Sequence, residues 1–283
     1  MVLHCITTIF VLYASFMEQH QPNQDLKISD IRMLRPFAIF EKKSSTSIIC
    51  QQNENFEIKK CKVTFYTPNT VSLFLSISNK ELIRATEAYK LLFDKKLNPD
   101  PKVIYSIPEQ ELPKVYDYLE FIQTSIISMY SAVEAFANIA IPNEHLEEKI
   151  NNKGIKEVWD KIAIERWYST SEKIGDLLPK ILNIESPKTL SFWSNFKKLE
   201  QLRNDIIHPK ISPSKINEIE SSFLEKLFQE DIFALIKCGY QLIKYYCEKN
   251  ESHSYYPIGL GKTIVQPIEV DDFSDHIDIE HSE

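Results

Sequence analysis

One short stretch of the chain carries residues able to act on a phosphate group. Arg203, Asn204 and His208 lie near the end of a segment whose apolar side chains recur every three or four residues, and Pro209 follows directly. This spacing predicts one stripe along a helix, and proline disfavours helical geometry at the residue before it. We therefore expect His208 at the helix end, with its imidazole free of mid-helix packing. The apolar stripe consists of Trp193, Phe196, Leu199, Leu202, Ile206 and Ile207.

These polar side chains supply complementary chemistry for a phosphodiester. Arginine is a fixed cation with forked donors, histidine titrates near neutral pH, and an asparagine amide can orient either group. In RNA cleavage without a metal, a base takes the 2′-hydroxyl proton, that oxygen attacks the adjacent phosphorus, and a cation stabilises the equatorial oxygens. The alternative is a structural role, which an isolated motif of this kind favours: Arg203 pairs with a carboxylate, and His208 sits at the negative end of the helix dipole.

The overall charge limits how such a site could bind RNA. The chain has 283 residues, of which 43% are hydrophobic and 26% charged, a composition typical of a soluble globular protein. Its net charge of −7 will not attract nucleic acid as a whole, so any RNA contact must be local. Only five glycines occur, which favours long helices over a glycine-loop nucleotide fold. The expected RNA contacts are Lys197, Lys198 and Lys210.

Cysteine spacing and the N-terminal segment bear on the compartment. Five cysteines show no metal-ligand spacing, and their odd number favours reduced thiols inside a cell. We expect no metal, no cofactor, no membrane association and a cytoplasmic location. Residues 1–16 are apolar without lysine or arginine, so they lack the basic start of a secretory signal and are short for a membrane span. We expect a buried strand or an over-long start there, with a signal or anchor as the alternative for segment 1–27.

Residues 28–96 are predicted to be a β-rich domain that ends in a helix. Apolar and polar residues alternate over residues 61–66 and 71–78, with a turn between them, and residues 36–42 and 47–50 are weaker strand candidates. This pattern predicts a small antiparallel sheet. Asn79 is then expected to cap a helix that ends near residue 95, and a proline-containing linker follows over residues 97–109.

Residues 110–250 are predicted to be entirely helical. The main helix covers residues 111–141, and the last covers 217–250 with a possible irregularity at Gly239. Ser169 and Glu172 form a capping box for a helix that ends near Pro179, and Ser186 caps the segment before the motif helix. Shorter helices are expected over 143–151 and 155–167. Residues 251–283 form an acidic tail, expected to be mobile or docked as a loose arm.

Glu134 stands alone as an ionisable group in the second half of the 111–141 helix. Small residues surround it in the sequence, so that another helix can approach closely there. A carboxylate packed among such residues needs a cation, because an unpaired buried charge is costly. Arg203 is the expected partner. The small residues are Ser125, Ser128, Ser131, Ala132 and Ala135.

The second half of the chain resembles the HEPN domains (higher eukaryotes and prokaryotes nucleotide-binding), in particular those of bacterial defence and toxin systems. The resemblance rests on residues 130–138 in one helix and residues 199–209 in a later one, and it covers about residues 108–250. The family motif is an arginine, a polar residue directly after it, and a histidine four to six residues beyond the arginine. Arg203, Asn204 and His208 match it. The fold expected is α+β: a C-terminal all-α HEPN-like bundle preceded by a small antiparallel β-rich region.

This resemblance implies a metal-independent endoribonuclease with a site formed across a dimer of four-helix bundles. Arg203 would stabilise the phosphate, His208 would act as acid or base, Asn204 would orient both, and Glu134 would position Arg203. One motif per chain requires a homodimer, with RNA as substrate and a 2′,3′-cyclic phosphate as product. A toxin or antiviral effector of this kind would have an antitoxin or regulatory protein as partner. The alternative is a non-catalytic HEPN-type helical module for binding or dimerisation.

Overall fold

The computed structural model describes residues 28–44, 46–93, 104–150, 153–209, 223–250, 255–261 and 267–271. The fold is mixed α and β, as the sequence predicts. It divides into two compact units, one drawn from residues 1–72 and 247–283, and the other from residues 73–246. The apolar segment 1–27, most of the predicted linker and most of the acidic tail lie outside the described ranges.

The first unit contains a three-stranded sheet with β1 (Phe37–Glu41) at its centre. Strand β2 (Thr46–Cys50) pairs with β1 in the antiparallel sense, which confirms both of the weaker predicted strands. Strand β7 (Pro267–Val270) pairs with the other edge of β1 in the parallel sense. A segment of the acidic tail is therefore a sheet strand and not a loose arm.

A separate hairpin in the same unit joins β3 (Asn53–Ile58) to β4 (Cys61–Tyr66). Its two turn residues, Lys59 and Lys60, have φ angles of 51° and 65°. Two positive φ angles are what a two-residue hairpin turn needs to match the strand twist. The alternation over residues 61–66 thus indicated a strand correctly.

The strand predicted over residues 71–78 is wrong, because these residues belong to the helix α1 (Thr70–Phe93). The side chain of Asn69 accepts a hydrogen bond from the Ser72 N–H at 2.9 Å, so Asn69, and not Asn79, caps the helix. In a strand with this alternation the serines would be the exposed positions, yet Ser78 is buried and donates to the Ser125 carbonyl at 2.9 Å. Alternation of apolar and polar residues predicts a strand only when the polar residues face solvent. Ser78 is polar but buried, so the alternation over residues 71–78 does not indicate a strand.

Helix α2 (Leu112–Ala140) is the centre of the second unit and confirms the predicted long helix. It packs against α6 (Trp193–Ile207), the motif helix. The two helices meet through aromatic rings, since Tyr130 stacks on Phe196 with 6.3 Å between ring centres and 6° between planes. The fully buried side chains of α2 include Tyr118, Ile122, Ile126, Val133 and Phe136.

The predicted final helix is divided into α7 (Phe223–Leu227) and α8 (Asp231–Lys249), while residues 217–222 lie outside the described ranges. Helix α8 runs unbroken through Gly239. A Cβ at this position would lie 2.6 Å from Cγ of Met129, so glycine allows α8 to approach α2 closely. The glycine serves packing and causes no irregularity in the helix.

The short helix predicted over residues 143–151 is also wrong. Strands β5 (Glu147–Ile150) and β6 (Lys156–Trp159) form an antiparallel hairpin, and only the last part of the next predicted helix is helical, as α3 (Lys161–Trp167). Asp160 caps α3 by accepting from the Ala163 N–H at 2.8 Å. The hairpin is stabilised by a contact that no local pattern shows: the Lys149 ammonium lies 4.6 Å from the centre of the Tyr168 ring.

The capping box of Ser169 and Glu172 is present and starts α4 (Thr170–Glu172). The chain then widens into a π-helical turn (Lys173–Leu177) and continues as α5 (Leu178–Leu182), so Pro179 does not end the helix. Pro179 lies in the first turn of α5, where a missing N–H costs little. Among the helices of the described ranges, none combines the length and apolar character that crossing a membrane requires.

Candidate functional site

The guanidinium of Arg203 contacts three groups at the surface of α6. Its Cζ lies 5.0 Å from the centre of the Tyr130 ring, its Nη2 lies 3.9 Å from Oε2 of Glu134, and its Nη1 donates to Oδ1 of Asn204 at 3.1 Å. The side chain is 26% exposed. A cation over an aromatic face contributes about 0.5–1 kcal/mol at such sites. Arg203 is therefore oriented by its neighbours while its charge stays accessible.

Glu134 is the predicted partner of Arg203, and the structure places the two side chains together. The reason given from the sequence is wrong, however, because the Glu134 side chain is 43% exposed and not buried. The buried face of α2 runs through Ala132, Val133 and Phe136, and Glu134 lies beside it. An ion pair this exposed is worth less than about 1 kcal/mol, so its effect is on the direction of the guanidinium.

The Tyr130 ring lies beneath the guanidinium of Arg203, and the sequence did not indicate this role. Its ring is buried against Phe196, and its hydroxyl donates to Oε1 of Glu200 at 3.0 Å. Burial raises the pKa of Tyr130, and the charge of Glu200 raises it further, so the phenol remains a neutral donor. Spacing was the available signal: Tyr130 precedes Glu134 by four residues and Glu200 precedes Arg203 by three, so each pair shares a helix face.

His208 ends α6, as the sequence predicts. Its backbone has left the helix, with φ −124° and ψ 66°, and its N–H donates to the Asn204 carbonyl at 2.8 Å. The residue is exposed and is followed by Pro209. Asn204 thus contacts both neighbours, since its side chain accepts from Arg203 and its main chain accepts from His208.

The predicted RNA-contacting lysines differ in their surroundings. Lys197 forms an ion pair with Glu200 and donates to Oγ of Ser171 at 2.8 Å. Lys198 is exposed on α6, and Lys210 lies outside the described ranges. Lys198 is therefore the one of the three whose position as an exposed cation near the motif is described.

Glu134 also interacts with a buried lysine, Lys173, which the sequence did not indicate. Lys173 is 2% exposed, and its Nζ donates to Oδ1 of Asn138 and to the Glu165 carbonyl, each at 2.8 Å. Burial lowers the pKa of Lys173, while the negative charges of Glu134 and Glu165 oppose that shift. Glu134 therefore interacts electrostatically with a second cation besides Arg203.

Arg203, Asn204 and His208 lie at one end of α6, where the Asn204 side chain contacts Arg203 and its main-chain carbonyl contacts the His208 N–H. Within the part of the chain that the structure describes, no three His, Cys, Asp or Glu side chains converge as metal ligands. No family model, curated protein or solved structure matches this chain. The likeness to HEPN domains therefore stays a prediction from the motif residues of the sequence.

Proposed function

We propose that this protein is a metal-independent endoribonuclease of HEPN type, and that the helices of its second unit form the family's bundle. One observation carries the proposal: the matched motif residues lie together at the exposed end of α6, where the Asn204 side chain accepts from Arg203 and its main-chain carbonyl accepts from the His208 N–H, while Tyr130 and Glu134 orient the arginine. A fixed cation and a group able to transfer a proton are the minimum needed to cleave a phosphodiester.

The reaction follows from the roles of these groups. One imidazole takes the proton of the 2′-hydroxyl, the O2′–P bond forms, and Arg203 stabilises the charge on the equatorial oxygens. The P–O5′ bond breaks, and a second imidazole gives a proton to the leaving oxygen. The products are a 2′,3′-cyclic phosphate and a 5′-hydroxyl. Each chain carries one such histidine in the motif, so a homodimer supplies the base and the acid. Asn204 and Glu134 orient the reacting side chains and transfer no proton.

The biological setting is part of the same proposal. An RNA-cleaving toxin or antiviral effector acts in the cytoplasm, where its substrate is, and requires an antitoxin or regulatory protein to restrain it. The RNA contacts outside the phosphate site come from Lys198 and, beyond the described ranges, Lys210.

A second function, that of a non-catalytic HEPN-type helical binding module, is favoured by one observation. Six large apolar side chains on or next to the β5–β6 hairpin and on α3 are exposed, and a protein surface rich in exposed apolar groups is typical of contacts with other molecules. In this function Arg203 and His208 are structural. The exposed side chains are Leu146, Ile150, Ile155, Val158, Ile162 and Trp167.

The two functions separate in one assay on purified protein. Labelled RNA is incubated in a chelator with wild type, Arg203→Ala, His208→Ala and the control Gln201→Ala, which changes an exposed residue of the same helix. We expect cleavage by wild type and the control, and a loss of at least about 100-fold in the two motif variants, the size of an acid–base contribution. Equal cleavage by all four proteins indicates a contaminant. A wild type that forms a dimer and leaves RNA intact supports the binding module.

A further inference from the structure

A surface pocket of about 250 Å³ is lined in part by the first half of α6, the helix that also carries Arg203. It is smaller than the roughly 300–1,000 Å³ pockets that enclose drug-sized ligands, so it suits a single planar ring. Its lining combines one large aromatic ring with hydrogen-bonding groups of both kinds. The lining residues are Ser171, Glu172, Asp176, Lys188, Trp193 and Lys197.

The charges of this lining balance. Lys188 donates to both carboxylate oxygens of Asp176 at 2.6 and 2.7 Å, and Lys197 is paired with Glu200 at the pocket edge. Two lysines and two carboxylates leave the pocket without the net positive charge that a phosphate needs. Adjacent donors and acceptors on an aromatic wall match the edge of a nucleobase, which presents both kinds of group and a face for stacking.

The backbone at Gly175 leaves room for two of the side chains that line this pocket. Gly175 lies in the π-helical turn Lys173–Leu177, and such turns occur frequently at functional sites. A Cβ at Gly175 would lie 2.5 Å from Cε of Lys188 and 2.9 Å from Cη2 of Trp193. The missing side chain therefore lets both of these lining groups pack against the turn.

A chain of contacts connects the pocket to Arg203. Ser171, in the pocket wall, donates to both carboxylate oxygens of Glu200 at 2.9 Å. Glu200 accepts from Tyr130, whose ring lies beneath the Arg203 guanidinium. Trp193 and Arg203 are ten residues apart on α6, a rise of roughly 15 Å at 1.5 Å per residue. This separation exceeds one nucleotide, so a base at Trp193 lies further along the RNA strand than the nucleotide whose phosphate lies at Arg203.

We propose that this pocket binds a nucleobase of the substrate strand near the scissile phosphate, with Trp193 as the stacking surface and Asp176 and Lys188 as partners for the base edge. The inference rests on the proposed ribonuclease function, since Arg203 defines where the phosphate lies. It adds a base-binding subsite to a site otherwise defined by phosphate chemistry. Cleavage should then depend on the base at this position.

The test uses the intrinsic fluorescence of Trp193. The chain has three tryptophans, so the double variant Trp159→Phe, Trp167→Phe leaves Trp193 as the only indole. The ligand is a 2′-O-methyl RNA tetranucleotide, which cannot be cleaved because its attacking oxygens are blocked. Matched probes have one base removed at each position in turn. Binding is followed by anisotropy of a label on the probe, in parallel with the emission of Trp193.

We expect the intact probe to quench Trp193 and one base-deleted probe to bind without quenching it. Trp193→Ala should weaken binding by roughly tenfold, as loss of a stacked base does, while Trp193→Phe restores it. In cleavage, Trp193→Ala should raise KM and change kcat little. A probe that binds with unchanged Trp193 emission, or that does not bind at all, overturns the subsite. The proposed function fails separately, if the wild type binds this probe but cleaves no RNA.

Discussion

The guanidinium of Arg203 lies 5.0 Å from the centre of the Tyr130 ring, which is itself buried against α6. The arginine that would bind phosphate is thus supported by the hydrophobic core of the unit and not only by surface charges. Glu134, one helical turn further along α2, directs the same guanidinium from its side. This arrangement makes separate predictions for the ring, the hydroxyl and the carboxylate.

The Tyr130 ring and hydroxyl should have distinct effects. Tyr130→Phe keeps the ring under Arg203 and removes the hydrogen bond to Glu200, so we expect about 1 kcal/mol less stability and nearly unchanged cleavage. Tyr130→Leu removes the aromatic face and should lower kcat several-fold. Urea unfolding and cleavage kinetics on both variants provide the measurement. Similar kcat values for the two variants would show that the ring does not hold Arg203.

Glu134→Gln tests the ion pair with Arg203. The exposed pair contributes less than about 1 kcal/mol, so folding and dimerisation should survive while kcat falls, because the guanidinium loses its fixed direction. The matched control is Glu120→Gln, an exposed carboxylate on the same helix. A Glu134→Gln enzyme as fast as the control would remove the positioning role.

Lys173 should give folding stability a characteristic alkaline pH dependence. Its folded pKa lies below the ordinary 10.5, so between these two values the unfolded chain binds a proton that the folded chain does not. Stability contributed by this group therefore rises with pH across that window. We expect the stability of wild type relative to Lys173→Met to increase as the pH rises toward the ordinary lysine pKa of 10.5. A stability difference that stays constant with pH would contradict a lowered pKa.

Thiol reactivity tests burial in both units. Burial raises the pKa of Cys50 to about 11 and those of Cys238 and Cys247 to about 12, whereas Cys61 is exposed. Because the thiolate is the reactive species, a Cys5→Ser variant should show one fast thiol with a disulfide reagent under native conditions. If adding Cys61→Ser to this variant removes the fast phase, the fast-reacting thiol is that of Cys61. A second fast thiol would show that one of the buried positions is open.

Local signals in the sequence predicted the elements that carry the motif. These signals act between residues that are close in the sequence. The structure contains the helix predicted from the apolar stripe of α2, the helix end predicted from the proline after His208, and the capping box at Ser169. The failures involve distant partners. Ser78 of α1 is hydrogen-bonded to α2, the β5–β6 hairpin packs on Tyr168, and β7 joins a strand more than 200 residues earlier in the chain.

The candidate site shows the same division. A motif within one helix predicts Arg203, Asn204 and His208. The need of an isolated carboxylate for a cation predicts Glu134 as the partner of Arg203. Spacing places Tyr130 on the helix face of Glu134 and Glu200 on that of Arg203, but it does not reveal their roles. Those roles depend on which faces of α2 and α6 meet. Likewise, the exposure of Glu134 depends on which face of α2 packs against the core. The sequence composition does not specify that face.

The central claim is that His208 takes part in cleaving RNA, and the 3′ ends of the products test it most directly. RNA is incubated in chelator with wild type or His208→Ala, and the fragment ends are identified by mass spectrometry. We predict 2′,3′-cyclic phosphate ends from wild type and none above background from His208→Ala. Fragments with the same ends in equal amounts from both proteins, or no fragments from wild type, would contradict it.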